Sequence, residues 1–149
     1  MLYNNNKTMN MFLDMRILLI TLALMATFFV VSCSESNKDG YTVLKDVKIN
    51  PFNKELADRG KKIFAEKCAS CHKYDKKLVG PALGDVVKRR SPDYILSQML
   101  YPEKMIASND TVKALLAIHL TSMPNQHLTI NDAKAVYDHL RDVANGGGK

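Results

Sequence analysis

The chain has 149 residues, of which 46% are apolar and 24% are charged, and its formal net charge is +6. This length suits one small domain with additional segments, and the composition is ordinary for a globular protein. The basic residues are scattered and do not alternate with aromatic ones, so we predict no nucleic-acid partner.

The N-terminal segment has the pattern of an export signal. Residues 17–31, ILLITLALMATFFVV, form an uncharged apolar run directly after Arg16. A membrane-spanning helix usually needs about 20 apolar residues, so a shorter run favours a signal peptide. The run leads into VVSC at Cys33, which resembles the lipobox of bacterial lipoproteins. We therefore predict a lipoprotein signal peptide over residues 1–32 and lipid attachment at Cys33; an uncleaved anchor helix or an ordinary signal peptide cut nearby is the alternative.

A polar segment follows Cys33 and lacks helical periodicity. We predict a lipidated, flexible tether over residues 33–51 and a folded domain over residues 52–149. In the alternative, residues 41–49, YTVLKDVKI, pack on the domain as a short strand.

Four helices are predicted in the domain, because apolar residues recur at helical spacing and no stretch alternates convincingly with period two. Each helix begins with a side chain that can accept a hydrogen bond from the first turn. Pro124 stops the third helix, and the sequence NGGGK ends the fourth. The section between Cys71 and Ser91 is predicted to be rich in loops. The predicted capping residues are Asn53, Ser91, Asp110 and Thr129, the last with Asp132 as its capping-box partner.

The sequence CASCH, which contains Cys68, Cys71 and His72, carries the strongest chemical signal. A thioredoxin-like redox pair normally lies beside a strand, and a structural zinc site needs four ligands, so neither pattern fits well. Attachment of a c-type haem fits better, with both thiols forming thioethers and His72 binding the iron. A disulfide or a zinc site is the alternative.

The second axial ligand of the iron is predicted to be Met123. It lies in the sequence TSMPNQHLT, between two predicted helices, where a loop can fold over a haem. A thioether sulfur or an imidazole nitrogen can fill this position, and His127 is the alternative ligand. The remaining downstream candidates are expected to be structural: Met99 in the core, Met105 packed in a loop, His119 on an apolar helix face and a partly exposed His139.

From Leu56 to Val143 the sequence resembles a class I c-type cytochrome. The resemblance rests on GKKIFAEKCASCH, on GPAL, and on MPNQHLT followed by DAKAVYDHL. It implies an all-α cytochrome c fold, with short helices wrapped around one covalently attached haem c. It also implies that Gly60 and Phe64 lie where the first and last helices cross, and that the Pro81 carbonyl accepts the proton on Nδ1 of His72.

The sequence departs from this family in two places. His139 stands where the family often has an aromatic residue, and Tyr137 is expected to compensate. The chain also has no tryptophan to bond a haem propionate. The candidates for that contact are Arg89, Arg90, Tyr94 and Gln98.

The resemblance implies a one-electron carrier rather than an enzyme. We expect a monomer, tethered by lipid to a bacterial envelope membrane with its haem domain in the periplasm, that passes electrons from a respiratory donor to a periplasmic reductase or terminal oxidase. A haem subunit held permanently in a respiratory complex, or a haem sensor or enzyme with a labile sixth ligand, is the alternative. Several lysines are expected to steer acidic redox partners: Lys62, Lys67, Lys73, Lys76, Lys77 and Lys88.

Overall fold

A computed structural model describes residues 14–20 and 40–147. The chain divides into two compact units, Met1–Ser36 and Asn37–Lys149. In the first unit, residues 14–20 form a short exposed helix, α1. Cys33 and most of the predicted signal peptide lie outside the described residues. None of the helices in the described ranges is long and apolar enough to cross a membrane.

The second unit is helical, and residues 40–147 contain no strand, which confirms the all-α prediction. Its apolar side chains form a hydrophobic core within the unit, as expected for a segment that folds on its own. Its helices are α2 (Lys54–Lys67), α3 (Val86–Arg89), α4 (Pro92–Leu100), α5 (Pro102–Ser108), α6 (Asp110–His119) and α7 (Ile130–Ala144).

Three of the four predicted helix starts are confirmed. The side-chain oxygens of Asn53 and Ser91 each accept a hydrogen bond from the N–H three residues on, at 2.9 and 3.2 Å. Thr129 and Asp132 form a reciprocal capping box at the start of α7. These contacts satisfy N–H groups that have no partner inside the helix.

The bounds of α6 differ from the prediction at both ends. Its capping residue is Asn109 and not Asp110, because the Asn109 side chain accepts from the N–H three residues on, at 3.0 Å. The helix ends at His119, before Pro124 can act on it. Leu120 stops it by adopting the left-handed conformation, with φ 55°.

Two short helices lie where loops were expected. α3 falls in the section between Cys71 and Ser91, and α5 begins with Pro102 at its first position, where a fixed φ and a missing N–H are tolerated. Met105, predicted to pack in a loop, is instead on α5 and fully buried. Met99 belongs to the core as predicted.

The crossing of α2 and α7 is the most extensive helix contact in the described part of the chain. A Cβ atom on Gly60 would lie 1.9 Å from the backbone oxygen of Ala135, so only glycine permits this approach. Phe64, one turn further along α2, is buried in the core. Both residues occupy the crossing, as the family resemblance implied.

His139 is buried, with 1% of its surface exposed, and the prediction of partial exposure was wrong. Its ring packs 5.6 Å from that of Phe64, and a hydrogen bond of 2.8 Å joins its Nε2 to the hydroxyl of Tyr74. Tyr74 therefore provides the partner for His139, whereas Tyr137 packs in the core. The aromatic ring of Tyr74 comes from a distant part of the chain, so the helix sequence alone does not reveal it.

Residues 41–49 pack on the domain, so the predicted tether over 33–51 is too long. The segment forms no strand within the described residues, although its apolar side chains contact the core. The N–H of Leu44 donates to Oγ of Ser97 at 2.8 Å, and the carboxylate of Asp93 accepts from two successive N–H groups of the segment at 2.9 and 2.8 Å. Side chains of α4 thus accept the hydrogen bonds that a neighbouring strand would accept in a sheet.

Candidate functional site

The C-terminal end of α2 leads into a tight turn that presents the CASCH residues to one cavity. The N–H groups of Cys71 and His72 both donate to the carbonyl of Cys68, at 3.0 and 2.9 Å. Both cysteines are free thiols in the structure and line the cavity. Burial raises the pKa of the Cys68 thiol to about 11, with a smaller contribution from Cys71.

The imidazole of His72 is fixed from one side. Its Nδ1–H donates to the carbonyl oxygen of Pro81 at 2.9 Å, which leaves Nε2 as the nitrogen with a free lone pair. A Cβ atom on Gly80 would lie 2.3 Å from Cε1 of His72, so a glycine makes room for the ring. Burial lowers the pKa of His72, while the bond to Pro81 acts in the opposite direction.

The cavity has a volume of about 390 Å³ and lies between two sections of the chain. One section, the proximal wall, is residues 68–84. The other, the distal wall, is residues 94–126, whose apolar side chains face the cavity from α4, α5 and α6. Every predicted haem-site residue lines this cavity: Cys68, Cys71, His72, Pro81, Arg89, Arg90, Tyr94, Gln98 and Met123.

Met123 lies in the loop between α6 and α7, and its Sδ is 3.7 Å from Nε2 of Gln98. His127, the alternative ligand, is exposed, does not line the cavity, and has a positive φ of 53°. The geometry therefore favours the sulfur over this imidazole as the group available to the cavity.

The candidates for the propionate contacts are arranged differently from one another. Arg89 makes an ion pair with Asp85 at 2.8 Å and donates to the Ala82 carbonyl at 3.1 Å. Its guanidinium therefore already has hydrogen-bond partners within the protein. The guanidinium of Arg90 lies 5.0 Å above the ring of Tyr94. Gln98 points its amide nitrogen at the Met123 sulfur, a contact that sequence reasoning did not anticipate.

Sequence reasoning also missed Gly80 and the position of His119. His119 lines the cavity, and its Nδ1–H donates to the Val79 carbonyl at 2.9 Å, which joins the two walls. Only the glycine in the sequence VGPAL gave any local signal, since a glycine beside a functional residue often marks a close approach.

A family model described as "Cytochrome c" matches residues 57–144. The chain belongs to the cytochrome c family. A cytochrome c from Rhodothermus marinus has 36% sequence identity and a TM-score of 0.67, over 69% of this chain and 90% of that one. An engineered form of it gives 36% identity and a TM-score of 0.66, over 68% and 90% of the two chains. The engineered form bound to a carbene intermediate gives 36% and 0.63, over 68% and 89%.

The family identifies the cofactor as one covalently attached haem c with its iron, and identifies this chain as a class I c-type cytochrome and an electron carrier. The cavity of this cytochrome suits that group. Two free thiols, an imidazole with its Nδ1 proton already bonded, and a thioether line one largely apolar space. The buried Oε1 of Gln98 has no hydrogen-bond partner among the described residues.

Proposed function

We propose that Cys68 and Cys71 carry the haem, that His72 and Met123 are its two axial ligands, and that the protein shuttles single electrons. The observation that supports this most is that the four side chains come from two separate sections of the chain and line one cavity. A c-type haem with two axial ligands supplies an iron that exchanges one electron between its ferrous and ferric states.

The residues around the cavity have separate tasks in this proposal. The carbonyl of Pro81 holds the Nδ1 proton of His72, which fixes the tautomer and makes Nε2 a stronger electron donor. Met123 lines the same cavity as His72, and its sulfur would bind the iron where oxygen or peroxide could otherwise bind. The apolar lining disfavours the additional positive charge of the oxidised state, and a thioether ligand also raises the reduction potential.

The same proposal includes a lipid anchor at Cys33 that keeps the haem domain at a bacterial envelope membrane, on the periplasmic side. The supporting pattern is the apolar run 17–31 followed by VVSC. Residues 41–49 pack on the domain, so the proposed tether ends before Tyr41. The redox partners in the proposal are a respiratory donor and a periplasmic reductase or terminal oxidase. Incorporation of radiolabelled fatty acid that is lost in Cys33→Ala, with haem attachment retained, would support the anchor.

The optical spectrum of the haem-loaded Asn37–Lys149 unit tests the ligands. It should be recorded oxidised, reduced, and reduced under carbon monoxide, for the unmodified unit and for Met123→Ala. We expect a six-coordinate low-spin spectrum with a sulfur-to-iron charge-transfer band, and no carbon monoxide binding. Met123→Ala should lose the band and bind carbon monoxide.

Met99→Leu is the matched control, because Met99 also lines the cavity but lies on α4 in the core. It should keep both the band and the resistance to carbon monoxide. If Met123→Ala kept its ligation, the sixth ligand would be another residue, and His127→Ala would be the next variant. Carbon monoxide binding by the unmodified unit would contradict the carrier and indicate a sensor or an enzyme.

A further inference from the structure

Residues 41–47, which we call the N-terminal strap, join two helices of the distal wall. The backbone carbonyl of Tyr41 accepts a hydrogen bond from Nδ2 of Asn109, at the start of α6. Further along the strap, the N–H of Leu44 donates to Oγ of Ser97 in α4 at 2.8 Å. Both helix side chains are fully buried, where water does not readily replace a hydrogen bond that the protein loses. The strap therefore holds α6 and α4 through two specific polar contacts.

A third contact fixes the strap on α4. The residue Asp46 adopts the left-handed conformation, with φ 52°, and this turns two successive N–H groups toward one carboxylate. The N–H groups of Asp46 and Val47 donate to the two oxygens of Asp93, in the first turn of α4, at 2.9 and 2.8 Å. Apolar side chains of the strap also pack against the core. The strap is thus attached to α4 at two points and to α6 at one.

The helix α6 has few other attachments to the helices of the domain. Among the described helices its extensive contact is with α5, and Val112 is the one residue of α6 that is buried. Leu115 and Leu116 line the haem cavity. Met123 lies four residues beyond His119, where α6 ends, so a movement of α6 would carry the sulfur with it.

The strap completes a closed path of contacts around Met123. On one side, α6 connects Asn109 to the loop that carries this methionine. On the other side, α4 carries Ser97 and Gln98, which point about 100° apart because they are adjacent in a helix. Ser97 thus bonds to the strap while Nε2 of Gln98 lies 3.7 Å from the Met123 sulfur. Moving α6 and its loop away from α4 requires a strap contact to break.

We infer that the N-terminal strap is a positioning element for the axial methionine: it restrains α6 against α4 and so slows dissociation of the Met123 sulfur from the iron. This inference rests on the proposed ligation by Met123. A local opening becomes rarer as more contacts have to break for it. The positioning residues are Asn109 and Ser97, and neither of them lines the haem cavity.

The test is the rate at which imidazole displaces the methionine in the haem-loaded ferric protein, followed by loss of the sulfur-to-iron band. At high imidazole concentration this rate reaches a limit set by dissociation of the sulfur. Ser97→Ala removes the acceptor of the Leu44 N–H. Asn109→Ser keeps an oxygen that can cap α6 but loses the amide that donates to Tyr41. Each variant should raise the limiting rate roughly two- to tenfold, the factor expected for one neutral hydrogen bond.

The double variant Ser97→Ala, Asn109→Ser distinguishes the strap from two unrelated structural losses. If both residues act through the same strap, breaking the second contact adds little to breaking the first. The limiting rate of the double variant should then exceed that of the faster single variant by less than about twofold. Rate increases that multiply, as they do for independent sites, would overturn the inference.

The matched controls make the same exchanges outside the path of contacts. In Ser108→Ala the lost hydroxyl bonds to the Lys104 carbonyl within α5, at 2.6 Å. In Asn53→Ser the exchange is made at the cap of α2, where the bond is 2.9 Å. Both controls should keep the limiting rate of the unmodified protein. An equal rise in Asn53→Ser and Asn109→Ser would assign the effect to a general loss of helix stability and would overturn the inference.

The result for the strap can be separated from the result for the ligand. Ser97→Ala changes a single hydroxyl, so its rate decides the outcome alone if Asn109→Ser does not fold. A sulfur-to-iron band in the unmodified protein, with the same limiting rate in Ser97→Ala, would overturn the role of the strap and leave Met123 as the ligand. Absence of the band in the unmodified protein would contradict the ligand itself and the role of the strap with it.

Discussion

The proximal and distal walls of the haem cavity are built in different ways. In the proximal wall, backbone hydrogen bonds connect residues close in sequence, such as Gly80 N–H to the Cys71 carbonyl at 2.8 Å and Gly84 N–H to the Tyr74 carbonyl at 2.9 Å. In the distal wall, the loop that carries Met123 meets α4 through the side chain of Gln98. Backbone hydrogen bonds hold the proximal wall in one geometry, so a substitution there should distort the site. A side-chain contact can be replaced without moving the backbone, so a substitution in the distal wall should change the properties of the site only slightly.

The largest effect is expected from Gly80→Ala, which tests the rigidity of the proximal wall. The new Cβ would lie 2.3 Å from Cε1 of His72, so the ring or the loop must move. Overpacking of this kind costs about 1–3 kcal/mol of unfolding free energy. Thermal unfolding should show this loss, and the optical spectrum of the haem-loaded unit should show weakened His72 ligation.

Gly84→Ala is the comparison for that variant. Its Cβ would lie 2.6 Å from the Tyr74 backbone oxygen, which is a similar overlap in the same wall but not against the imidazole. It should lower stability while leaving the spectrum unchanged. If both variants changed the spectrum equally, the close contact between Gly80 and His72 would have no special role.

An intermediate effect is expected from His139→Phe, which tests the support behind the proximal wall. Burial lowers the pKa of His139, and its Nδ1 has no hydrogen-bond partner among the described residues. Since the unfolded chain then binds a proton more readily than the folded one, the stabilisation is present above the unfolded pKa of 6.5 and is lost as pH falls through the lower folded value. The groups that act on His139 are Tyr74, Lys61, Lys54, Asp58 and Asp142.

His139→Phe should flatten this pH dependence, because phenylalanine does not titrate. At neutral pH it should cost about 1 kcal/mol, since the Tyr74 hydroxyl loses its partner. Denaturant unfolding at several pH values below and above 6.5 measures both effects. The same fall in stability toward acid in both proteins would assign the pH dependence to other groups.

The smallest effect is expected from Gln98→Leu. This variant tests whether a side chain of the distal wall changes the reduction potential without being needed to form the site. The amide of Gln98 withdraws electron density from the Met123 sulfur, so its loss should favour the oxidised iron and lower the reduction potential. Because a neutral hydrogen bond is worth about 0.5–1.5 kcal/mol, the shift should be on the order of 20–60 mV. Redox titration measures it.

Gln126→Leu is the control for Gln98→Leu. Gln126 also lines the cavity, but its amide donates to the Pro124 carbonyl instead of the sulfur. The reduction potential of Gln126→Leu should stay close to that of the unmodified protein. A larger shift in Gln126→Leu than in Gln98→Leu would mean that the hydrogen bond to the sulfur is not what adjusts the distal wall.

The sequence by itself determined the helical class and three of the four helix starts. It also predicted the chemical groups of the site, and the resemblance to a family implied the close crossing at Gly60. The helix starts depend on side chains within a few residues of one another, such as Thr129 with Asp132. Short-range hydrogen bonds and steric limits are the same in any fold, and so a local pattern predicts them.

Only the tertiary structure decided the burial of His139, the packing of residues 41–49, and the contact between Gln98 and Met123. Each joins residues distant in sequence: Tyr74 meets His139 across 65 positions, and Leu44 meets Ser97 across 53. A periodic pattern marks a face as apolar or polar, but it does not say which side chain will supply the partner. That choice depends on how the helices pack around the haem cavity.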